Sequence, residues 1–209
     1  MRIALAPLAA LALLVGCQLG ERPTFSDDPF PPGLATGDPA IDAVLDKLDG
    51  VTRGPVTASY SVLRKFGAVE FPAGIVLSGG QRSITLGNTR YLQTEPLVQT
   101  CKVDGSSPCL TGIVTQAASD VGLTIDFYAA DTARRLRRDA QAKVGPTSLY
   151  NQEFAGIAAT CVDVPLANGT AVYCALDNGL LAKLDDGDVL VTLTFLAETV
   201  DLNAFDVGD

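Results

Sequence analysis

The period of the apolar residues changes along the chain and predicts the order of its elements. Residues 38–50 predict a short helix, because Asp38 is a good N-cap, Pro39 suits the first turn and Gly50 ends the apolar period. Its apolar residues, spaced at i, i+3, i+4 and i+7, are Ile41, Val44, Leu45 and Leu48. The result is an amphipathic helix with one buried face.

Beyond that helix the period falls to two, which is typical of half-buried strands. The first alternating run is residues 56–62. Further strands are predicted at residues 74–78, 83–86, 89–93, 154–164, 171–176, 180–184 and 189–196. Residues 97–114 lack a period and are predicted to be a loop. Strands, a helical interlude and further strands indicate an α+β fold with a large antiparallel sheet.

A second helix is predicted over residues 132–144, capped by Asp131 and ended by Gly145-Pro146. Its basic residues are Arg134, Arg135, Arg137, Arg138 and Lys143. Two interpretations stay open for them. They form a solvated face paired with acidic side chains, or they contact anionic lipid headgroups at a membrane surface.

The N-terminus predicts export and lipid attachment. Residues 3–15 are almost entirely apolar and follow Arg2, but the run is shorter than the roughly 20 residues of a membrane-spanning helix. It ends in Leu14-Val15-Gly16-Cys17, which resembles the bacterial lipobox. That resemblance implies a diacylglycerol on the Cys17 sulfur and cleavage just before it. The alternative is an ordinary signal peptide with a chance cysteine.

The predicted organisation therefore has three parts. Residues 1–16 are a lipoprotein signal peptide, residues 17–37 are the lipidated Cys17 and a proline-rich tether, and residues 38–209 are one globular domain. The expected location is the cell envelope, on the extracytoplasmic side and anchored to a membrane by lipid.

Four cysteines remain when Cys17 carries lipid. Sequence locality favours the pairs Cys101–Cys109 and Cys161–Cys174 among the three connectivities that four cysteines allow. An oxidising extracytoplasmic compartment permits both bridges. Neither spacing resembles the paired C-x-x-C pattern of a zinc site, so no metal site is expected.

Composition excludes several classes of function. A formal charge of −9 argues against a nucleic-acid partner, because phosphate neutralisation needs a basic surface. The chain has no histidine, which removes histidine-dependent triads and histidine zinc ligands. No nucleotide-binding or nucleophile motif stands at a strand–helix junction, and no carboxylate pair is distinguished from the surface acids. No enzymatic activity and no cofactor are expected.

The order of these features resembles the LolA-like lipoprotein carrier superfamily, which includes the LppX/LprG lipoproteins. The resemblance rests on the lipobox, the proline-rich tether, the short helix and the strand at residues 56–62. It also rests on the closing strands, with Asp177-Asn178-Gly179-Leu180 between them and Asp201-Leu202-Asn203-Ala204-Phe205 after them. It covers about residues 38–207. The two predicted disulfides are not general in that superfamily and indicate a divergent branch.

The resemblance implies a curved antiparallel sheet, shaped like half a barrel, with two or more helices on its concave face. It also implies an apolar cleft that binds or shuttles a lipid or lipoprotein acyl chain. The alternative is an envelope interaction or sensor module of the same fold that carries no cargo and contacts an envelope protein. Apolar positions that would line such a cleft are expected to be ordinary core residues: Tyr60, Val62, Ile75, Leu77, Ile84, Leu136, Val191, Leu193 and Phe195.

Replacing Cys17 with Ala tests the lipobox. We expect the variant to lose its lipid and to move from the detergent phase to the aqueous phase in Triton X-114 partitioning. A variant that stays in the detergent phase contradicts the lipobox interpretation.

Overall fold

Eleven antiparallel strands form one open sheet in the computed structural model, which describes residues 28–120 and 122–206. The strands are β1 Val56–Arg64, β2 Val69–Ser78, β3 Gln81–Leu86, β4 Thr89–Thr94, β5 Leu97–Lys102, β6 Leu110–Thr111, β7 Ser148–Phe154, β8 Ile157–Leu166, β9 Gly169–Leu176, β10 Leu181–Asp185 and β11 Val189–Ala197. The helices are α1 Pro39–Asp49, α2 Gln116–Ser119, α3 Ala130–Ala142 and a C-terminal 3-10 helix, Leu202–Phe205. The predicted α+β fold with a large antiparallel sheet is confirmed. The signal peptide, the lipobox and Cys17 lie outside the described residues.

Two meanders meet in the middle of the sheet. Strands β1 to β6 run outward in sequence order to one edge, and β7 to β11 run inward from the other edge. The meanders join where β1 pairs with β11, from Thr57 opposite Ala197 to Arg64 opposite Val189. The connection between the two meanders carries α2 and α3.

The second meander is strongly curved. Cα atoms of β7 and β11 approach within 8 Å of each other, although three strands lie between them in the sheet. Four strand spacings in a flat sheet would separate them by about 19 Å. Helix α1 contacts β7, β8 and β9, and α3 contacts β8, β9 and α1.

Helix α1 forms as its sequence predicts. The Asp38 carboxylate accepts hydrogen bonds from the first free N–H groups, those of Ala40 and Ile41, and the Gly50 N–H closes the other end on Lys47 O. The predicted apolar face is the buried one: Ile41, Val44, Leu45 and Leu48.

Helix α3 begins earlier and ends earlier than predicted. Its N-cap is Ala129, which has no side chain to cap with, so the prediction of Asp131 as the cap is wrong. The Thr132 hydroxyl instead donates to Phe127 O at 2.5 Å, which satisfies a carbonyl of the preceding turn. The helix stops at Ala142 because the Val144 N–H bonds to Pro165 O of β8 at 2.9 Å.

Three strands of the sheet, β5, β6 and β7, went unpredicted. Residues 97–114 contain β5 and β6, whose polar and apolar residues do not alternate cleanly; Thr100 and Cys101 are both buried, on opposite faces. Strand β7 is an edge strand exposed along most of its length, so it lacks an apolar face. The predicted strand at residues 154–164 is interrupted by a turn at Ala155-Gly156, and β8 begins only at Ile157.

One predicted core residue faces solvent because β11 carries a bulge. Ser59 pairs with Phe195 and Tyr60 with Leu193, so Thr194 has no partner on β1. The extra residue reverses the alternation, and the Phe195 side chain is 51% exposed. The other eight predicted core positions are buried.

Both predicted disulfides are present in the structure. Cys161 and Cys174 lie opposite each other on β8 and β9, where both are fully buried. The hairpin between them turns at Ala167-Asn168, as the predicted pairing requires. Cys101 and Cys109 close the exposed loop that follows β5.

Gly179 stands where a side chain cannot fit. It has φ +82°, and a Cβ there would lie 2.5 Å from Lys47 O and from Val51 Cα. Gly156 has a similar φ, +79°, but nothing lies within 4 Å of its Cβ position. Substitutions at these two glycines therefore distinguish the cost of backbone strain alone from the cost of strain together with a steric clash.

We expect Gly156→Ala to cost about 1–2 kcal/mol of unfolding free energy, since it adds only left-handed strain. Gly179→Ala should cost clearly more, because the α1–β1 connection must also move. Urea unfolding of both variants checks this. Equal losses would show that the close approach at Gly179 has no energetic consequence.

Candidate functional site

Every basic side chain in the predicted second helix, residues 132–144, forms an ion pair with an aspartate. The pairs are Arg134–Asp28, Arg135–Asp131, Arg135–Asp186, Arg137–Asp49, Arg138–Asp139 and Lys143–Asp38. Only the side chains of Arg134 and Arg138 are more than half exposed, at 58% and 56%. Any contact of α3 with lipid headgroups therefore falls to these two.

The Arg137–Asp49 pair joins three segments of the chain. The Arg137 side chain is 3% exposed and donates to Asp49 on α1 and to Leu34 O at 2.8 Å. Asp49 also accepts from the Gly33 N–H at 2.8 Å. A buried guanidinium needs such partners, because an unpaired buried charge is costly. The second half of the predicted tether, residues 28–37, is thereby held against α1 and α3.

Lys143 and Thr147 bind the same carboxylate that caps α1. The Thr147 hydroxyl donates to Asp38 at 3.0 Å, and Lys143 pairs with it. Burial alone would raise the pKa of Asp38, but Lys143, Thr147 and the helix N–H groups outweigh it and hold the pKa below its usual value. The stabilisation from this carboxylate is therefore present above its unfolded pKa and is lost as the pH falls.

A polar network lies beneath the outer arginines. The Tyr173 hydroxyl, fully buried on β9, donates to Asp139 at 2.5 Å, and Arg138 pairs with the other oxygen of Asp139. Burial and the neighbouring Asp139 charge raise the pKa of Tyr173 well above its usual value. Arg135 pairs with Asp186, which in turn accepts the Val189 N–H at 2.8 Å. No sequence pattern indicated this network, because Tyr173 and Asp186 lie 34 and 51 residues from their partners in α3.

Aromatic side chains fill the space over β1 to β4. Tyr60 of β1 meets Phe127 edge-on at 5.3 Å between ring centroids, and Phe127 meets Tyr128 at 5.9 Å. Tyr91 of β4 is fully buried, and its hydroxyl donates to Val114 O at 3.3 Å. The segment that connects β6 to α3 thus supplies the packing for this half of the sheet.

The Tyr60 hydroxyl is the exception within this layer. It is buried and has no hydrogen-bond partner among the described residues, and burial raises its pKa far above the usual value.

Several clefts of about 310 to 480 Å³ open at the surface of the described part of the chain. The one of about 480 Å³, here called the Phe66 cleft, brings two phenylalanines next to several arginines. Phe66 lies in the turn between β1 and β2 and is 89% exposed, whereas Phe30 is half-buried. Arg64, Arg134 and Arg138 lie around them, with Asp131 and Asp188. Sequence analysis missed Phe66, because a single phenylalanine in a turn carries no periodic signal.

Two kinds of functional feature are absent from the described residues. No group of three or more His, Cys, Asp or Glu within residues 28–120 and 122–206 could hold a metal ion. In the same part of the chain, no helix is long and apolar enough to cross a membrane.

Comparison with known proteins finds distant structural similarity only. No protein-family model matches the chain, and no curated protein sequence matches it significantly. Solved structures that resemble it include MucB, at TM-score 0.47 and 15% identity over 82% of this chain and 64% of MucB, less than two thirds of that protein. LprF from Mycobacterium bovis has TM-score 0.42 and 13% identity over 78% of this chain and 95% of its own.

A DUF1329 family protein from Desulfovibrio piger ATCC 29098 also resembles the chain, at TM-score 0.32 and 12% identity over 81% of this chain and 98% of its own. With TM-scores below 0.5, the similarities carry no property of those proteins over to this chain.

Arg137 and Arg134 form a matched pair for testing the buried connection. We expect Arg137→Met to destabilise the fold by about 1–3 kcal/mol, because the hydrogen bonds that the buried guanidinium donates to Leu34 O and to Asp49 are lost. Arg134→Met removes an exposed pair and should cost less than about 1 kcal/mol. Denaturant unfolding measures both, and equal effects would contradict the central position of Arg137.

Proposed function

We propose that the chain is an extracytoplasmic envelope lipoprotein, anchored through a lipid on Cys17, whose domain acts by surface contact with other envelope components. The two disulfides support an extracytoplasmic location, since such bridges persist in oxidising compartments. The proposed shape is a curved sheet with α1 and α3 on its concave face. The approach of β7 to β11 and the contacts of both helices with β8 and β9 support it.

The filled layer over β1 to β4 is the observation that supports a function without lipid cargo. A ligand pocket for an acyl chain is a concave, mainly apolar space that buries most of its ligand. Here Phe127 is completely buried against Tyr60, and Leu123 and Tyr128 are buried beside it. Each of the surface clefts described above has charged side chains in its lining.

Lipid or acyl-chain transport is the second candidate, and one observation favours it. The cover over β1 to β4 is irregular chain with the four-residue helix α2, not a long helix. A few polar contacts hold it, among them Arg82–Asp126 at 2.6 Å, and the Tyr60 hydroxyl beneath it has no partner among the described residues. An acyl chain would have to replace Phe127 and Tyr128 in the layer.

Native mass spectrometry and lipid extraction separate the two candidates. A chain that begins at Asp28 lacks Cys17, so any lipid found with it is cargo and not anchor. Exported to the envelope behind a cleavable secretory signal and purified from it, this chain should show the mass of the polypeptide with two disulfides, and organic extraction should yield no lipid.

Recovery of one lipid per chain would contradict the cargo-free function and establish transport as the better account. The Phe127→Ala variant serves as the control for detection. It opens space in the same layer and should take up added fatty acid if the method is sensitive enough.

A further inference from the structure

The turn between β1 and β2 presents an apolar side chain that the fold itself does not use. Phe66 is 89% exposed, the most exposed large apolar side chain in the described part of the chain. Its turn is well formed without it, since the Lys65 N–H bonds to Asp188 O at 2.9 Å and the Ala68 N–H to Lys65 O at 3.2 Å. A phenylalanine held out on a hydrogen-bonded turn can be buried in an apolar environment outside the molecule without a change in the fold.

The chain enters the domain beside this turn. Phe30 lines the Phe66 cleft, and Asp28, two residues earlier, pairs with Arg134 of the same cleft at 2.8 Å. Cys17 precedes Asp28 by eleven residues (28 − 17 = 11), which span at most about 40 Å when fully extended. A lipid on Cys17 therefore keeps the Phe66 cleft close to the membrane.

Long basic side chains surround the phenylalanine. Arg64 and Lys65 directly precede it in sequence. Arg134 and Arg138 lie across the cleft with more than half of each side chain exposed. Such side chains bury their methylene stems in an interface and keep the charged group at the headgroups. Aspartates pair with Lys65, Arg134 and Arg138, and the chain carries −9 overall, so apolar insertion and not charge attraction drives this contact.

We propose that this end of the domain rests on the lipid bilayer, with Phe66 inserted at the headgroup–acyl boundary. The bilayer is the occupant because the anchored N-terminus enters at this cleft. Other exposed apolar side chains, such as Leu202 on the 3-10 helix, lie outside it. The inference rests on the proposed anchoring through Cys17. It adds the orientation of the domain and names the residue that touches lipid.

The chain contains no tryptophan, so a single Trp reports one site without background. The test uses the full lipidated chain, reconstituted into phosphatidylcholine vesicles with one quarter phosphatidylglycerol, as Phe66→Trp and, separately, Leu202→Trp. Leu202 is a matched control, because it is also largely exposed, at 67%. Both substitutions fall on exposed side chains and leave the core unchanged.

We expect the emission of Phe66→Trp to shift to the blue on vesicles and to be quenched by brominated acyl chains, whereas Leu202→Trp keeps its aqueous emission. In a chain lacking lipid through Cys17→Ala, Phe66→Ser should weaken partitioning into the same vesicles by roughly ten- to a hundredfold, the value of burying one phenylalanine side chain. Pure phosphatidylcholine vesicles should give the same blue shift, since the contact is apolar.

Each failure has a distinct meaning. A lipidated chain that does not float with the vesicles overturns the anchoring and this inference with it. A chain that floats while Phe66→Trp keeps its aqueous emission overturns the bilayer contact alone and leaves Phe66 available to a protein partner. Quenching of Leu202→Trp instead of Phe66→Trp would show that the domain faces the bilayer with another surface.

Discussion

The pairing of β1 with β11 is the constraint on which the rest of the fold depends. It joins two meanders whose other strand pairs are local, and it does so across 140 residues, from Thr57 to Ala197. Closing so long a loop costs chain entropy before the contact returns any free energy. Buried residues on both strands, Tyr60 and Val62 facing Leu193 and Val191, supply the apolar contact that offsets this cost. The covering layer packs on the continuous sheet that this pairing creates.

Through their contacts, the ion pairs of α3 join the N-terminal segment of the described chain to the rest of the domain. Arg137 holds α1 and the carbonyl of Leu34 together, and Lys143 reaches the carboxylate that caps α1. A helix that looks like a basic surface in the sequence is thus, in its buried half, a connector between segments. The exposed half, with Arg134 and Arg138, lies beside Phe66, where the chain enters the domain. The exposed arginines, Phe66 and the entering chain thus lie together at this end of the molecule.

Local signals were enough to predict part of this. Helix α1 follows from its cap, its apolar spacing and Gly50, and the Cys161–Cys174 pairing follows from a short hairpin. Features set by distant partners could not be predicted. Strand β7 has no apolar face because it is an edge, and Phe195 is exposed because a bulge at Thr194 reverses the alternation.

The candidate site likewise has parts that the sequence indicated and parts that it did not. Its basic residues were visible as a run in the sequence, but their aspartate partners lie 4 to 106 residues away in all but one pair. Nothing in the sequence indicated a role for Phe66, because that role is inferred from its exposure and from the nearby entry of the chain into the domain. The filled layer over β1 to β4 likewise depends on Phe127 and Tyr128, which lie in a segment without a period.

The central claim is that this layer is part of the folded core and not a replaceable cover. Amide hydrogen exchange tests it directly at the N–H groups of Phe127 and Ala129, which bond to Thr124 O and Asp126 O, and of Leu181, which bonds to Tyr128 O at 2.8 Å. These amides should be protected, and their exchange should stay the same when phospholipid or fatty acid is added. Loss of their protection on addition of lipid, with the amides of β8 and β9 unchanged, would contradict the account.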